Sequence, residues 1–304
     1  MEKIAVLMGG TSNERAISLQ SGANVAEALS SLGKYDVVAV DLTADNLDEL
    51  PDDVSRVYIA LHGGWGENGG VQAALDAKKI PYTGPGAKCS RIAMDKIKTK
   101  MVLEMLNVPT PAWSLASPGD TASPLPLPVV VKPPRDGSSV GIAKVSNPGD
   151  WSAALGTALA AQGGTGEVLV EEFIHGREMT VGIIDGEALP VIEIVTAGGW
   201  YGYEEKYVSD ATRTIFYGDD PARIIPRCPP ETVQRVALDA WKALGCRGVT
   251  RVDILVSPLG RCSVLELNTS PGFTSHSLVP KAGMKTGLTF AGVCDRILQT
   301  ARHD

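Results

Sequence analysis

A hairpin-like segment at residues 247–278 constrains this chain more than any other part of its sequence. Two apolar runs, residues 249–256 and 263–267, flank the turn sequence Ser257-Pro258-Leu259-Gly260. Runs of this length on either side of a turn that contains proline and glycine predict two antiparallel strands. The segment therefore predicts a β-hairpin around which the rest of the chain is organised.

Four polar side chains share one face of the predicted hairpin, because alternate residues of a strand point the same way. On the first strand these are Arg251 and Asp253, and on the second they are Glu266 and Asn268. A turn centred between residues 259 and 260 places Asp253 directly opposite Glu266 and the other two opposite each other. Opposed carboxylates destabilise a sheet unless a positive charge lies between them, and oxygen ligands of this kind suit a hard cation such as Mg²⁺. The alternative is a solvated sheet face on which the pairing has no function.

The composition limits the class of protein. A length of 304 residues suggests two or three domains. A net charge of −7, with Lys and Arg scattered along the chain, provides no basic surface for nucleic acid. Five cysteines without CxxC spacing indicate neither a disulfide framework nor a zinc site, which favours a reducing cytoplasm. With neither a signal peptide nor a stretch long enough to span a membrane, we expect a cytoplasmic protein without a nucleic-acid or membrane partner.

The N-terminal residues predict an α/β unit. A buried strand at residues 4–8 ends in Gly9-Gly10 and leads into a helix, and further parallel strands are expected at residues 37–41 and 57–61. A change in composition near residues 85–88 marks the first domain boundary.

Two polar residues follow strands of this unit. Thr11 and Glu14 have the spacing of a capping box, but a carboxylate at a helix start also attracts an ammonium group, so both interpretations of Glu14 stay open. His62 begins the loop HGGWGENGG at the carboxyl end of a strand, where open α/β sheets bind ligands. The alternative is a structural loop with a surface histidine.

The segment after the boundary begins with a helix and a connector. The spacing of Met94, Ile97, Met101 and Met105 predicts one helix face in the core, with Lys96 outside it. Residues 109–128 are rich in proline and predict a connector rather than a helix.

A Gly/Ser loop at residues 133–139 lies between predicted strands at residues 129–132 and 140–145. Such a loop can close over a triphosphate, with Lys132 on the strand as the positive charge; the alternative is an ordinary flexible hairpin. A further strand at residues 167–174 has the mixed apolar and acidic composition of a sheet edge, where an adenine can bind to the backbone.

The C-terminal part predicts a second hairpin and a long loop. The hairpin spans residues 179–194 and turns at Asp185-Gly186. The loop at residues 198–221 is long, and loops of this length are usually lids or disordered; its tyrosines favour a lid. Helices are expected at residues 231–244 and 288–300.

Taken together, seven motifs resemble those of the D-alanine–D-alanine ligases of the ATP-grasp superfamily: GGTSNERAISLQSG, HGGWGENGG, MDK, VVVKPPRDGSSVG, YEEKY, RVDIL and LELNTSPGFTSHSLVP. The resemblance covers nearly the whole chain in order. It implies an α/β fold with α+β elements, namely an ATP-grasp fold with an N-terminal Rossmann-like domain. The expected division is an N-terminal domain (residues 1–86) with the first D-alanine site, a central subdomain (87–178) with the Gly/Ser loop, and a C-terminal subdomain (179–304) with the lid and the Mg²⁺ site.

The activity that the resemblance implies is the ATP-dependent joining of two D-alanines, through a D-alanyl phosphate, for peptidoglycan synthesis by a cytoplasmic homodimer. The alternatives are an ATP-grasp carboxylate–amine ligase with another acceptor, such as D-lactate or D-serine, and a non-catalytic nucleotide-binding regulator. The four polar residues of the hairpin argue against the regulator, because a regulator needs neither two metal ions nor an oxyanion donor.

The resemblance also implies roles for individual residues. The ATP site would be lined by Lys96, Lys132, Ser139, Glu171, Phe173, Ile174 and Glu178, with Lys206 on the phosphates. Two Mg²⁺ ions, which Mn²⁺ can replace, would be held by Asp253, Glu266 and Asn268, with Glu266 bridging. The first D-alanine would bind Glu14 near His62, and Glu14 would also join Ser138 and Tyr207 in a hydrogen-bonded set. The second D-alanine would place its carboxylate on Ser277 and the amide of Leu278, and the oxyanion hole would consist of Arg251 and the amide of Gly272.

Two positions depart from the family pattern. Gly202 lies where members commonly have an aspartate between the first two lid tyrosines, and Pro134 replaces a small polar residue. Neither position has a catalytic role in the family. Tyr207 is more informative, because relatives that use D-lactate or D-serine generally differ there, so its presence favours D-alanine as the nucleophile.

Overall fold

The computed structural model describes residues 1–135, 141–195 and 213–304, and in these ranges the strands form three sheets. The strands are β1 (Glu2–Gly9), β2 (Tyr35–Leu42), β3 (Arg56–Ile59), β4 (Trp113–Ala116), β5 (Val129–Lys132), β6 (Ala143–Val145), β7 (Val168–Glu172), β8 (Arg177–Ile184), β9 (Glu187–Ala188), β10 (Ile192–Val195), β11 (Arg213–Phe216), β12 (Val249–Val256) and β13 (Cys262–Asn268). The helices are α1 (Arg15–Ser31), α2 (Gly64–Glu67), α3 (Gly70–Ala77), α4 (Ala87–Met94), α5 (Lys96–Met105), α6 (Trp151–Ala161), α7 (Pro230–Ala243), α8 (Leu278–Lys285) and α9 (Phe290–Leu298), with short 3-10 helices at Pro148–Asp150 and Pro221–Arg223.

The first sheet is parallel and has the order β2-β1-β3. Its central strand β1 contains the fully buried run Ile4 to Leu7, as expected of a strand that is covered on both faces. The predicted parallel strands are therefore confirmed, and the polar loops after β1 and β3 both lie at the carboxyl edge of this sheet.

Of the two interpretations of Thr11 and Glu14, the capping box is wrong, because α1 has no side-chain cap. Helix α1 begins at Arg15, and the Thr11 hydroxyl donates to Asp45 Oδ1 at 2.7 Å instead of capping the helix. The N–H of Glu14 donates to Ser12 Oγ at 3.2 Å. The loop after β1 turns once more before the helix starts at Arg15.

The second sheet is antiparallel, with the order β4-β7-β5-β6, and α6 packs on it. Our expectation that residues 167–174 form a sheet edge is wrong. Strand β4 forms from four residues without proline inside the Pro-rich connector, and it pairs with β7 from Trp113 opposite Glu171 to Ala116 opposite Val168. The backbone of β7 is therefore occupied on both sides over these residues.

The predicted face of methionines and isoleucine in the core is also wrong. The chain leaves the helical conformation at Asp95, with φ −101° and ψ 101°, and α4 and α5 are separate helices. Asp95 Oδ1 accepts a hydrogen bond from the N–H of Lys98 at 3.2 Å and caps α5. A single helical period cannot continue across this break. Met101 and Met105 are 58% and 71% exposed, whereas Lys100 is 1% exposed.

The third sheet has the order β11-β10-β8-β12-β13, and β9 pairs with the end of β8. The predicted pairing of Asp253 with Glu266 and of Arg251 with Asn268 is confirmed, but the predicted turn centre is wrong, because Val256 pairs with Cys262 and centres the turn on Leu259. The ladder reaches this register through a bulge: near the turn Ile254 pairs with Val264, which leaves Leu265 as the extra residue. Continued without the bulge, the pairing near the turn would place Leu265 opposite Asp253 and turn Glu266 to the other face.

The first and third sheets share a hydrophobic core. Ile4 and Leu29 from the first unit are buried together with Phe273, Val279 and Val293 from the C-terminal region. The loop after β13 is therefore held against α1 and β1. None of the helices in the described ranges is both long and apolar enough to cross a membrane.

Candidate active site

The polar face of the β12–β13 hairpin lies at the centre of the candidate site. The Arg251 guanidinium donates from Nη2 to Asp253 Oδ2 at 2.7 Å and from Nε to Oδ1 at 2.9 Å. Thr180 Oγ1 on β8 also donates to Asp253 Oδ1, at 2.6 Å. Lys96 Nζ lies 3.6 Å from Glu266 Oε2. Arg251 and Lys96 thus supply positive charge to the two opposed carboxylates.

The residues expected to bind metal have the right chemistry for Mg²⁺. Asp253, Glu266 and Asn268 offer oxygen atoms from the same hairpin face. Asn268 Oδ1 accepts a hydrogen bond from the N–H of Ser270 at 2.9 Å. In the described ranges no group of three or more His, Cys, Asp or Glu side chains is placed to hold a metal ion, so the predicted set rests on two carboxylates and one amide. Their donor chemistry fits a hard divalent cation.

A buried cluster of two lysines and one glutamate joins α5 to the second sheet. Glu171 on β7 pairs through one carboxylate oxygen with Lys100 on α5 and through the other with Lys132 on β5. Lys100 Nζ also donates to Thr110 Oγ1 at 2.6 Å. We refer to Lys100, Lys132 and Glu171 as the lysine cluster.

Burial and the ion pairs act in opposite directions within the lysine cluster, and the ion pairs outweigh burial for Glu171 but not for Lys100. Burial alone would raise the pKa of the Glu171 carboxyl, but the charges of Lys100 and Lys132 outweigh burial and lower that pKa. Burial lowers the pKa of the Lys100 ammonium, against the pull of Glu171. Two ammonium groups on one carboxylate leave an excess of one positive charge in the cluster.

Sequence reasoning missed Lys100. Its position between Thr99 and Leu103, both buried, contains a usable signal, because residues four apart on a helix share a face. A lysine on the buried side of a helix needs a charged partner. The methionine pattern instead predicted that the opposite face of α5 is buried.

The other residues expected at the nucleotide lie around the end of β7. The N–H of Phe173 donates to the carbonyl of Pro128 at 3.0 Å, and Lys144 Nζ lies 3.7 Å from the centroid of the Phe173 ring. Ile174 follows in the same segment, while Glu178 lies on β8 opposite Leu255. The structure thus brings Lys132, Glu171 and Phe173 together through the pairing of β5 with β7, and places Glu178 in the neighbouring sheet.

The start of α5 is joined to the Gly/Ser loop. The N–H of Lys96 donates to the carbonyl of Pro134 at 2.8 Å, and Arg135 Nε donates to Asp95 Oδ2 at 3.0 Å. The predicted residues of the loop itself and of the lid lie outside the described residues: Ser138, Ser139, Lys206 and Tyr207.

His62 is buried, so the alternative of a surface histidine is wrong. Its Nδ1 lies 2.9 Å from the carbonyl oxygen of Ser270, and its Nε2 lies 3.0 Å from Ser21 Oγ. Burial lowers the pKa of the His62 imidazole, with a smaller opposing effect from the charge of Glu14. The ring is therefore neutral near pH 7 and binds its neighbours through directed hydrogen bonds.

The Glu14 carboxylate reaches the loop that His62 begins. A Cβ atom added to Gly63, whose φ is +65°, would lie 2.6 Å from Glu14 Oε2. Because the capping role is excluded, the remaining interpretation of Glu14 is a carboxylate that attracts an ammonium group next to His62.

Glu67 is a second residue that sequence reasoning missed. Its side chain is buried, with Oε1 4.0 Å from His62 Nδ1. Burial, and then repulsion from the Glu14 charge, raises the pKa of the Glu67 carboxyl to about 8. The signal in the sequence was an acidic residue within a glycine-rich loop at the end of a strand, but the direction of its pKa shift depends on burial, which the loop sequence does not reveal.

The loop after β13 brings the remaining predicted residues to the same place. A Cβ atom added to Gly272 would lie 3.0 Å from Ser277 Oγ, 3.9 Å from Ser21 Oγ and 4.0 Å from His62 Nε2. Ser277 precedes the first residue of α8, Leu278, and its Oγ accepts a hydrogen bond from the N–H of Thr274 at 2.8 Å. The N–H groups at the start of α8 have no partner within the helix and are suited to bind a carboxylate.

The family comparison covers most of the chain. A family model described as "D-ala D-ala ligase C-terminus" matches residues 102–299. A D-alanine–D-alanine ligase of Acidovorax ebreus (strain TPSY) is 44% identical over 312 residues, which cover 99% of this chain and 91% of that relative. A D-alanine–D-alanine ligase of Azoarcus sp. (strain BH72) is 43% identical over 305 residues, covering 99% and 97% respectively.

Solved structures agree with the sequence relatives. The structure of the D-alanine–D-alanine ligase from Bacillus anthracis complexed with ATP matches with a TM-score of 0.83 and 31% identity, over 99% of this chain and 97% of that one. The VanG D-Ala:D-Ser ligase from Enterococcus faecalis matches with a TM-score of 0.83 and 28% identity, over 98% and 99%. The neighbours have the ATP-grasp fold that the motifs imply.

Proposed function

Because this chain belongs to the D-alanine–D-alanine ligase family, we propose that the residues around the β12–β13 hairpin form its active site. The reaction is the ATP-dependent joining of two D-alanine molecules through a D-alanyl phosphate, for cell-wall synthesis. The observation that carries the assignment of the site is the hairpin register, which sets Asp253 opposite Glu266 beside Arg251. Phosphoryl transfer and amide formation need the carboxylates and the guanidinium, respectively.

The nucleotide would bind between the second and third sheets, along Lys96, Phe173, Ile174, Glu178 and the lysine cluster. The excess positive charge of the cluster supports this, because a buried charge is stable only when it is compensated, and a polyphosphate brings the negative charge. Ser139 and Lys206 keep their predicted roles at the phosphates.

Asp253, Glu266 and Asn268 would hold two Mg²⁺ ions, which Mn²⁺ can replace. Bound there, the ions neutralise the negative charge that phosphoryl transfer spreads over oxygen atoms. Lys96, which lies 3.6 Å from Glu266, adds a fixed positive charge at the same place.

The first D-alanine would bind with its ammonium group at Glu14, next to His62. Its carboxylate then faces the nucleotide and accepts the phosphoryl group, which gives the acyl carbon a good leaving group. The predicted set of Glu14, Ser138 and Tyr207 would close the site, because an acyl phosphate is lost to hydrolysis if water enters.

The second D-alanine would place its carboxylate on Ser277 and the N–H of Leu278, so that its amine attacks the acyl carbon. Arg251 and the N–H of Gly272 would donate to the oxyanion that forms in this step, and one such donor contributes on the order of 3 kcal/mol. Departure of phosphate completes the peptide bond.

The larger organisation is also a proposal. We retain the three units, but we draw the second boundary just before Arg177, where β8 begins, so that the units are residues 1–86, 87–176 and 177–304. A cytoplasmic homodimer is expected, and a candidate contact surface is formed by the exposed apolar residues Met101 and Met105 on α5 and Leu106 directly after it.

The test is to incubate the protein with ATP, Mg²⁺ and D-alanine, follow ADP release, and repeat with L-alanine, D-lactate or D-serine as the added acceptor. ADP release that depends on D-alanine supports the proposal. Release that is greater with D-alanine plus D-lactate or D-serine identifies the alternative acceptor. Release that is independent of any amino acid, or no release, contradicts the proposed function.

A further inference from the structure

Ser21, in the middle of α1, connects the two halves of the proposed amino-acid site. Its side chain is fully buried. The hydroxyl lies 3.0 Å from His62 Nε2 and accepts a hydrogen bond from the N–H of Phe273 at 3.1 Å. His62 belongs to the predicted site of the first D-alanine, whereas Phe273 follows the predicted oxyanion donor Gly272.

The direction of each hydrogen bond follows from what each group can do. The backbone N–H of Phe273 donates, so Ser21 Oγ accepts there. The carbonyl of Ser270 accepts, so His62 Nδ1 carries the hydrogen. Because His62 is neutral, its Nε2 has a lone pair, and the hydrogen of the Ser21 hydroxyl is available for it. The chain therefore runs from the N–H of Phe273 through Ser21 and His62 to the carbonyl of Ser270.

This chain begins and ends in one short turn. It fixes the backbone of residues 270–273 at both ends, and Gly272 lies between the fixed points. Asn24 lies one turn further along α1, and its Nδ2 donates a second hydrogen bond to this turn, to the carbonyl of Phe273 at 2.9 Å. The backbone N–H and the carbonyl of Phe273 are thus both hydrogen-bonded to side chains on the same face of α1.

We propose that Ser21 is a positioning residue for amide formation. It holds the N–H of Gly272, at the second D-alanine site, in a fixed position relative to the His62 ring, at the first. The proposal rests on the proposed function. Its effect should fall on the second half-reaction, because the oxyanion that Gly272 stabilises forms after phosphoryl transfer. A displaced amide slows attack by the amine and gives water more time to hydrolyse the acyl phosphate.

Ser18 provides a matched control on the same helix. Its side chain is also fully buried, its Oγ accepts from the N–H of Gly9 at 2.9 Å, and its hydroxyl donates to the carbonyl of Ala60 at 2.8 Å. Ser18→Ala and Ser21→Ala thus remove the same atoms and the same number of bonds. The bonds of Ser18 lie within the first sheet and its loops, so this variant reports the structural contribution alone.

The experiment compares the wild type, Ser18→Ala and Ser21→Ala by the amounts of ADP and of D-alanyl-D-alanine formed, by the KM for ATP, and by thermal unfolding. We expect Ser21→Ala to lower kcat for dipeptide about 10- to 100-fold, to produce ADP in excess of dipeptide, and to leave the KM for ATP within about 2-fold. Ser18→Ala should form ADP and dipeptide in equal amounts at nearly wild-type kcat, even where its melting temperature falls as far. Ser21→Thr, which keeps the hydroxyl, should restore part of the coupling.

Equal coupling and equal kcat in the two alanine variants would overturn the proposal, as would a loss confined to the KM for ATP. If Ser21→Ala fails to fold, Ser21→Thr and Ser21→Cys decide: coupling must fall with the strength of the hydrogen bonds that the side chain makes. A wild-type protein that releases no ADP with D-alanine contradicts the proposed function itself, whereas an active wild type with indistinguishable variants contradicts only the role of Ser21.

Discussion

The two sides of the candidate site are built from different interactions. On the nucleotide side, Lys100 and Lys132 are buried, and each contacts one oxygen of the buried Glu171 carboxylate. On the amino-acid side, burial lowers the pKa of His62 and raises that of Glu67 to about 8, so that both are mainly neutral near pH 7. A polyphosphate requires fixed positive charge, whereas an amine nucleophile requires hydrogen-bond acceptors and an oxyanion requires donors, both held in fixed directions. The type of interaction on each side therefore matches the chemistry of what binds there.

The largest effect is expected where the two sides meet, at Glu266. Glu266→Gln removes the negative charge that would hold Mg²⁺ and that faces Lys96, so turnover should fall about 1,000-fold or more, equivalent to roughly 4 kcal/mol. Thermal unfolding should change little, because the amide has the same shape. Glu187→Gln, at an exposed ion pair with Arg296, is the control and should keep wild-type turnover. A Glu266→Gln variant of near-normal rate would refute the predicted role of this carboxylate.

Lys100→Met tests whether the nucleotide side depends on its excess charge. Without Lys100, Glu171 fully neutralises Lys132, so the KM for ATP should rise about 10- to 100-fold while the KM for D-alanine changes little. The loss of one partner from a buried ion cluster should also lower the free energy of unfolding by roughly 3 kcal/mol. Lys98→Met, on the exposed side of α5, is the control. A less stable Lys100→Met variant with an unchanged KM for ATP would assign Lys100 a structural role alone.

Glu67→Gln tests whether the buried Glu67 carboxyl is neutral on the amino-acid side. A carboxyl whose pKa is raised from 4.5 in the unfolded chain to about 8 in the folded protein keeps its proton in the folded state between these values, while the unfolded chain loses it. Stability therefore falls as pH rises through this window, by up to about 1.4 kcal/mol per pH unit, and levels off above about pH 8.

The variant should lack this slope. The melting temperature of the variant minus that of the wild type should therefore increase from pH 5 to pH 8. Four charged or titratable groups surround the carboxyl: Glu14, His62, Arg251 and Glu266. Parallel pH profiles of the two proteins would contradict the raised pKa of Glu67 and its neutral state in the folded protein.

The smallest effect is expected at Lys144, whose ammonium lies over the Phe173 ring at the solvent-exposed edge of the nucleotide side. An exposed contact of this kind contributes about 0.5–1 kcal/mol, so Lys144→Ala should raise the KM for ATP by about 5-fold at most. Lys144→Arg should preserve it. If Lys144→Ala raised the KM for ATP as much as Lys100→Met, burial would not explain why one lysine contributes more to ATP binding than the other.

Much of the fold could be predicted because it follows local rules. The glycine-ended strand before α1, the Asp185-Gly186 turn and the paired runs of the hairpin each depend on residues that are neighbours in the chain. The predictions of secondary structure and burial were wrong where contact with a distant element changed the local conformation. Strand β4 formed inside a Pro-rich connector because β7 offered a free edge, and the break at Asp95 turned the methionines of α5 to the solvent.

The sequence by itself determined which side chains of the hairpin share a face, because alternation is a property of the extended backbone. Tertiary structure alone decided the rest. The bulge at Leu265 is what carries Glu266 opposite Asp253. Three further features depend on residues that are far apart in the sequence. They are the ion pairs of the lysine cluster, the neutral state of Glu67, and the hydrogen bonds that link Phe273 through Ser21 to His62. Burial and hydrogen bonding between such residues depend on how the whole chain packs, which no local pattern contains.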